Sequence, residues 1–202
     1  MGLAGYALKN NAFFGKLENF YSKTLDVKNA KFFYKLKPKD NYFYFKKLSK
    51  NIRFDTLAYF IQNFTENILE KWFLQIYEKY KIKNFIFSGG VAQNIKATKK
   101  ISINKKINKL FVPPGPGDES LMIGVVYCLL NKFGVDKKKI STLINPYKGC
   151  SFKKESLNFL KNKNKIILKK VKPKDVALIL NSGEVVARFS LNNFEFGPRA
   201  LG

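Results

Sequence analysis

The chain has 202 residues, enough for one ordinary domain or for one domain and part of another. Its 46% hydrophobic and 15% aromatic content can fill a core, which excludes a wholly disordered chain. The net charge is +24, and the absence of His excludes a His-based acid/base pair, a Ser-His triad and a His-ligated metal within these residues. Cys128 and Cys150 form no CxxC pair, which excludes a Cys zinc site and gives no disulfide framework. A reducing cytoplasm is the expected compartment. No apolar run reaches the roughly 18 residues of a membrane span, and the N-terminus lacks the pattern of a signal peptide.

The charge invites a nucleic-acid partner. Only three basic residues are Arg, however: Arg53, Arg188 and Arg199. The rest are Lys, spread along the chain among many Asn, Ile and Phe, with short runs such as Lys99-Lys100 and Lys137-Lys138-Lys139. That mix is what an AT-rich coding sequence produces. A solvated Lys-rich surface is therefore favoured over a nucleic-acid interface, and no membrane partner is expected.

In chain order, FFYKLKPKDNYFYF predicts two short strands around a KPKDN turn. Residues 55 to 80 predict a long helix with Asp55 as N-cap. Leu57, Ile61, Phe64, Ile68, Trp72 and Ile76 form its apolar stripe. Residues 83 to 88 read as a strand running into Gly89-Gly90, with a helix starting at Val91. A second strand at 109–112 leads through PPGPGDES to a helix over 121–131. This alternation predicts an α/β domain with parallel strands. Beyond a linker, the expected elements are a helix opening at Ser151, a strand at 166–168, a helix over 175–181 and a strand at 185–189.

Three segments can carry chemistry. SGGVAQN, Ser88 to Asn94, joins strand to helix through two glycines. Such a loop either lets a phosphate approach the backbone at a helix start or is a tight turn. In PPGPGDES, Asp118 is either a metal ligand or, the favoured local reading, a helix cap, and Glu119 is a first-turn carboxylate. In FEFGPRALG, Arg199 suits a phosphate or carboxylate, or else an ion pair with Glu195.

Taken in order, these segments resemble the O-carbamoyltransferases of nodulation-factor and antibiotic biosynthesis. MGLAGYA resembles that family's MGLAPYG, SGGVAQN its AGGVALN, and GEVVARF…FEFGPRALG its G-K-V-V-x-x-F…MEFGPRALG. VPPGPGDESLMIGVVY resembles the segment with P-x-x-G-D before a small-residue helix. The resemblance implies an α/β fold: the later half of an actin/sugar-kinase-like domain (1–133), a linker (134–150), and the start of a second α/β domain of the carbamoyl-adenylate-forming type (151–202). It implies ATP-dependent carbamoyl transfer from carbamoyl phosphate, through carbamoyl adenylate, to the hydroxyl of an unspecified small molecule in a biosynthetic pathway. Gly89, Gly90, Val91 and Asn94 would line the adenylate site. Asp118 would ligate a divalent metal, whether iron, manganese or zinc. Arg199, with Arg188 as a second candidate, would bind carbamoyl phosphate or another anion.

The departures are specific. The family has a His pair on an early helix, and it continues past GPRALG into NRSIL. Gln93 stands where the family has Leu, and Ala4-Gly5 where it has Ala-Pro. Five residues, Ser190 to Phe194, separate Phe189 from Glu195 where the family has four, one of them basic. The expectation is thus an incomplete piece of such an enzyme, which a complementary polypeptide would complete. The alternatives are a basic nucleic-acid-binding protein or an inactive remnant.

Overall fold

The computed structural model describes residues 1–7, 24–35, 39–140, 145–151, 171–186, 193–197 and 200. They divide between two compact units, Met1–Val112 and Pro113–Gly202.

The first unit opens with a single 3-10 turn, Leu3–Tyr6, whose Ala4 is buried. Strands β1 (Leu25–Lys28) and β2 (Lys31–Tyr34) form an antiparallel hairpin. Its two turn residues, Asn29 and Ala30, both have positive φ (55° and 64°). That is the geometry of a two-residue turn matched to the twist of the strands. The partner of β2 therefore lies upstream. The expected second strand at NYFYF is instead a helix, α1 (Asn41–Leu48). Asp40 decides this, because its carboxylate accepts the Phe43 N–H (3.0 Å) and caps the helix.

Helix α2 (Phe54–Tyr80) is about 40 Å long at 1.5 Å per residue. It ends at Lys81, which turns left-handed (φ 59°) while its N–H closes onto the Tyr77 carbonyl. The N-cap is Arg53 rather than Asp55. Asp55 lies inside the first turn, buried, held by the Arg53 guanidinium (3.1 and 2.8 Å). Of the expected stripe only Ile68 is fully buried. Phe60, Leu69 and Phe73 join it, and Ile61 is exposed. The reason is that α2 is packed from several directions: by the N-terminal turn, by β1 and by α3 (Ile95–Ser102). A single stripe cannot face all three.

Strands β3 (Asn84–Ile86) and β4 (Lys109–Phe111) pair in parallel, as the alternation predicts, with α3 as the crossover. Their core side is a cluster of Leu69, Phe73, Phe87, Ala92, Ala97, Ile101 and Ile107, flanked by Trp72, Phe85, Leu110 and Val112. Edge-to-face contacts join Phe73 to Phe85 and to Phe87 at 5.0 and 5.2 Å.

In the second unit, a 3-10 turn (Asp118–Ser120) leads into α4 (Leu121–Lys132). Helix α5 (Pro173–Asn181) starts with Pro at its first position and ends at Ser182 and Gly183 (φ 84°). The Asp175 carboxylate accepts the Lys172 N–H (3.0 Å) across its first turn. Residues 146–151 run antiparallel to 193–196. Phe194 N–H donates to Cys150 O (2.8 Å), Gly149 N–H to Phe194 O (2.9 Å) and Phe196 N–H to Pro146 O (2.9 Å). A Cβ on Gly149 would fall 2.9 Å from the Phe194 carbonyl oxygen, so this pairing requires glycine. The strand expected at 166–168, and most of the elements expected at 151–157 and 185–189, lie outside the described residues.

Candidate functional site

The segment after β3 is built from two local demands. Phe87 continues the sheet, its N–H reaching Phe111 O (2.9 Å), and its ring enters the core. Gly89 then takes φ 103° and ψ 160°, a backbone that L side chains rarely adopt. Gly90–Gln93 form a 3-10 turn, closed by Ala92 N–H on Gly89 O (2.9 Å) and Asn94 N–H on Val91 O (3.0 Å). Ala92 anchors this turn in the core, and Val91 is 55% exposed. The α-helix therefore begins at Ile95, later than the sequence predicts. Its first turn is occupied by the Asn94 side chain, which accepts the Ala97 N–H (3.2 Å). The open part of the loop is the glycine pair. Among the described residues nothing lies within 4 Å of a Cβ built on Gly89 or Gly90, which leaves room for a ligand to approach this backbone closely.

Asn94 is held from α2. Its Oδ1 accepts from Gln62 Nε2 (2.9 Å), and its Nδ2 donates to Gln62 Oε1 (3.0 Å). The second amide hydrogen of Gln62 goes to Glu66 Oε1 (2.7 Å). Gln62 is 6% exposed, and each of its polar atoms has a partner, as a buried amide requires. Beside this network lies a cleft of about 390 Å³, lined by Ala4, Gly5 and Ala7, by Tyr59, Gln62, Asn63 and Glu66 of α2, and by Lys96. The MGLAGYA segment and the helix that follows SGGVAQN thus border one cleft. Its wall carries one carboxylate, one ammonium group, two amides and one phenol, a set suited to a polar ligand with several hydroxyl groups.

Gln62 and Glu66 are absent from the sequence-derived site. Gln62 and Glu66 lie four apart and so share a helix face, but Asp55, Glu70, Lys71, Gln75 and Glu78 stand on the same helix, and the sequence does not single these two out.

In the second unit Asp118 is exposed. It makes no capping bond. The carboxylate that holds this loop is Glu119, whose Oε1 accepts the Gly117 N–H (3.1 Å). The FEFG turn reaches the same loop, for a Cβ on Gly197 would stand 3.4 Å from Gly115 N. Arg188 and Arg199 lie outside the described residues. Among the described residues no three His, Cys, Asp or Glu side chains converge on a point that could hold a metal ion. Asp118 thus has no cluster of further carboxylate or thiol donors beside it among the described residues.

The sequence profile of the family described as carbamoyltransferase N-terminus matches residues 2–127, more than half the chain. The chain belongs to this carbamoyltransferase family. Two uncharacterized proteins of Methanocaldococcus jannaschii are similar to it. MJ1051 is 37% identical over 72% of this chain and 28% of its own length. MJ1058 is 27% identical over 99% of this chain and 34% of its own length. The uncharacterized protein sll1178 of Synechocystis is 28% identical over 72% of this chain and 25% of its own. This carbamoyltransferase-family chain thus spans about a quarter to a third of the length of the relatives it matches. Among its described residues, no helix is long and apolar enough to cross a membrane.

Proposed function

We propose that the chain is part of an ATP-dependent O-carbamoyltransferase of the cytoplasm, one that uses carbamoyl phosphate and acts through carbamoyl adenylate on a hydroxyl of a small molecule. The observation that carries this reading is that the family match takes in both MGLAGYA and SGGVAQN, and that the cleft beside Gln62 is bordered by MGLAGYA and by Lys96 of the helix that follows SGGVAQN. In this reading Gly89 and Gly90 admit the adenylate to the backbone, Val91 faces it, and Asn94 fixes the loop through Gln62 and Glu66. The acceptor oxygen attacks the carbamoyl carbon, forming the new C–O bond. The bond from that carbon to the adenylate phosphate oxygen breaks, and AMP leaves with the electron pair. The acceptor hydroxyl gives up its proton to a base that these residues do not identify.

The stretch 1–133 belongs in this reading to the first domain, 134–150 to a linker and 151–202 to the opening of the second. There Arg199, with Arg188, would hold carbamoyl phosphate or its anionic products. Asp118 would give a divalent metal one carboxylate, with its other donors coming from outside the described residues. A complementary stretch of polypeptide would supply the rest of both sites.

Two assays test the reading. Titration of the chain with ATP and with AMP should show binding that Gly90→Ala weakens. The protein completed with the missing parts of a relative should release AMP only when carbamoyl phosphate, ATP and a hydroxyl acceptor are all present. If carbamoyl phosphate is not consumed across a broad panel of acceptors, the assignment fails.

A further inference from the structure

Asn94 and Gln62 form a closed pair of amides. Asn94 Oδ1 accepts from Gln62 Nε2 (2.9 Å), and Asn94 Nδ2 donates to Gln62 Oε1 (3.0 Å). Such a pair keeps both bonds if the two amides turn over together, because each then offers a donor where it offered an acceptor. The ends of the pair decide between the two arrangements. At one end Ala97 N–H donates to Asn94 Oδ1 (3.2 Å), so an oxygen must stand there. At the other, Gln62 Nε2 gives its second hydrogen to Glu66 Oε1 (2.7 Å). A carboxylate only accepts, so a nitrogen must stand there. Both ends select the same arrangement. In it Gln62 has used both of its amide hydrogens. Asn94 has used one, and the planar amide directs the other away from Gln62, where it has no partner among the described residues.

We infer that Glu66 is a positioning residue for the glycine loop: through Gln62 it holds the Asn94 amide so that the atom left over for a ligand is a nitrogen, not an oxygen. The loop then offers a hydrogen-bond donor and takes its ligand by an accepting oxygen, such as a hydroxyl or phosphate oxygen. The inference rests on the nucleotide-binding reading above and deepens it. Gln62 and Glu66 stand four apart on one face of α2, so the carboxylate reaches the buried amide without bending the helix. Asn94 directly follows the turn Gly90–Gln93, so whatever fixes its amide also fixes the end of the loop. With Glu66 gone, only the single Ala97 N–H still opposes the turned-over arrangement, and water can satisfy that group instead.

The test compares two uncharged side chains of similar length at position 66. Glu66→Gln keeps a carbonyl that accepts, and Glu66→Met offers no comparable acceptor. Two quantities are measured on the full chain: hydrogen exchange at the Ala97 amide without ligand, and affinity for AMP by calorimetry. Glu66→Gln should leave both within about twofold of the parent. Glu66→Met should speed Ala97 exchange and weaken AMP binding, each by about three- to tenfold, with the other backbone amides of α2 and α3 unmoved. Adding Glu66→Met to Gln62→Met should change neither quantity further, because the carboxylate acts through Gln62. In the parent, AMP should shift the side-chain amide signal of Asn94. Equal behaviour of the Gln and Met variants would overturn the inference, since packing or charge would then be what matters. A full Glu66→Met effect in the Gln62→Met background would overturn it in favour of direct contact between Glu66 and the ligand. An Asn94 amide signal that stays put while AMP binds would also overturn it. If the parent binds no AMP, the proposed function of the chain fails, and Ala97 exchange alone decides whether Glu66 fixes Asn94.

Discussion

Gln62 and Asn94, 32 positions apart, exchange two amide hydrogen bonds and so tie the long helix to the loop after the glycine pair. Asn94 also caps α3, so it serves two elements with one side chain. We expect Asn94→Ala to destabilise the protein by about 2–4 kcal/mol, from the lost cap and the stranded buried amide of Gln62. Gln62→Ala should cost about 1–3 kcal/mol by the same reasoning. The double variant should lose clearly less than the sum, since either change breaks the same pair. Urea unfolding of the four proteins measures this directly, and strict additivity would show that the pair contributes nothing.

The two glycines of the loop should respond differently to alanine. Gly89 has positive φ, so Gly89→Ala should cost about 1–2 kcal/mol although nothing crowds the new Cβ. Gly90 has no positive φ and, among the described residues, no neighbour within 4 Å of an added Cβ, so Gly90→Ala should leave stability within about 0.5 kcal/mol of the parent. If a nucleotide approaches this backbone, Gly90→Ala should nevertheless weaken ATP binding. Unchanged affinity by calorimetry would place the nucleotide elsewhere.

How much of this was legible in the residues can be judged element by element. The strand, loop, helix and strand from 83 to 112 could be read because short apolar runs and Gly-Gly punctuate them. The hairpin could not, because its turn is Asn29-Ala30 rather than the usual Asn-Gly, and Ala gives no sign of positive φ. Helix α1 was hidden because consecutive aromatics favour a strand, and one capping carboxylate on Asp40 outweighs them. Of the site, the glycine loop was visible as a motif. Gln62 and Glu66 were not, because nothing local says which polar residue of a long helix will face inward.

Asp26 gives a pH signature. Partial burial pushes its carboxyl up, but hydrogen bonds from Lys35 and Lys71 and from the Val27 N–H outweigh this and hold it well below the usual carboxylate range. A depressed folded value means the stabilisation is present above the unfolded value. It fades as pH falls below about 4 toward the folded value. Asp26→Asn should therefore lose about 1–2 kcal/mol at pH 7, and the gap to the parent should narrow steadily in acid. A gap that stays constant from pH 7 to pH 3 would show that the carboxylate charge is not its source.

The hairpin is clasped to α2 through its backbone. Gln75 donates to Val27 O (2.9 Å) and accepts the Ala30 N–H (3.0 Å), while Trp72 Nε1 donates to Ala30 O (3.0 Å). Trp72 is the only Trp, so the Trp emission of the protein comes from a ring that joins this clasp to the core beside Phe73. Gln75→Ala should cost about 1–2 kcal/mol and shift Trp emission to longer wavelength as water reaches the indole. An unchanged spectrum would show that the hairpin holds without Gln75.

Asp118 and its neighbour separate function from structure. Asp118→Ala should leave stability within about 0.5 kcal/mol, since the residue is exposed and caps nothing. Glu119→Ala should cost about 1 kcal/mol through the lost bond to Gly117 N–H. In a completed enzyme, activity lost in the first variant at full stability would mark Asp118 as a residue of the reaction.

Ala30 sits at φ 64°, where a methyl group is unwelcome, yet its N–H and carbonyl are the atoms that α2 grips. Glycine would keep both backbone bonds and remove the strain. The chain thus carries an unspent gain in stability one substitution away. A lineage selected only for the firmest fold would have taken it, so this hairpin records a history in which stability was sufficient rather than maximal.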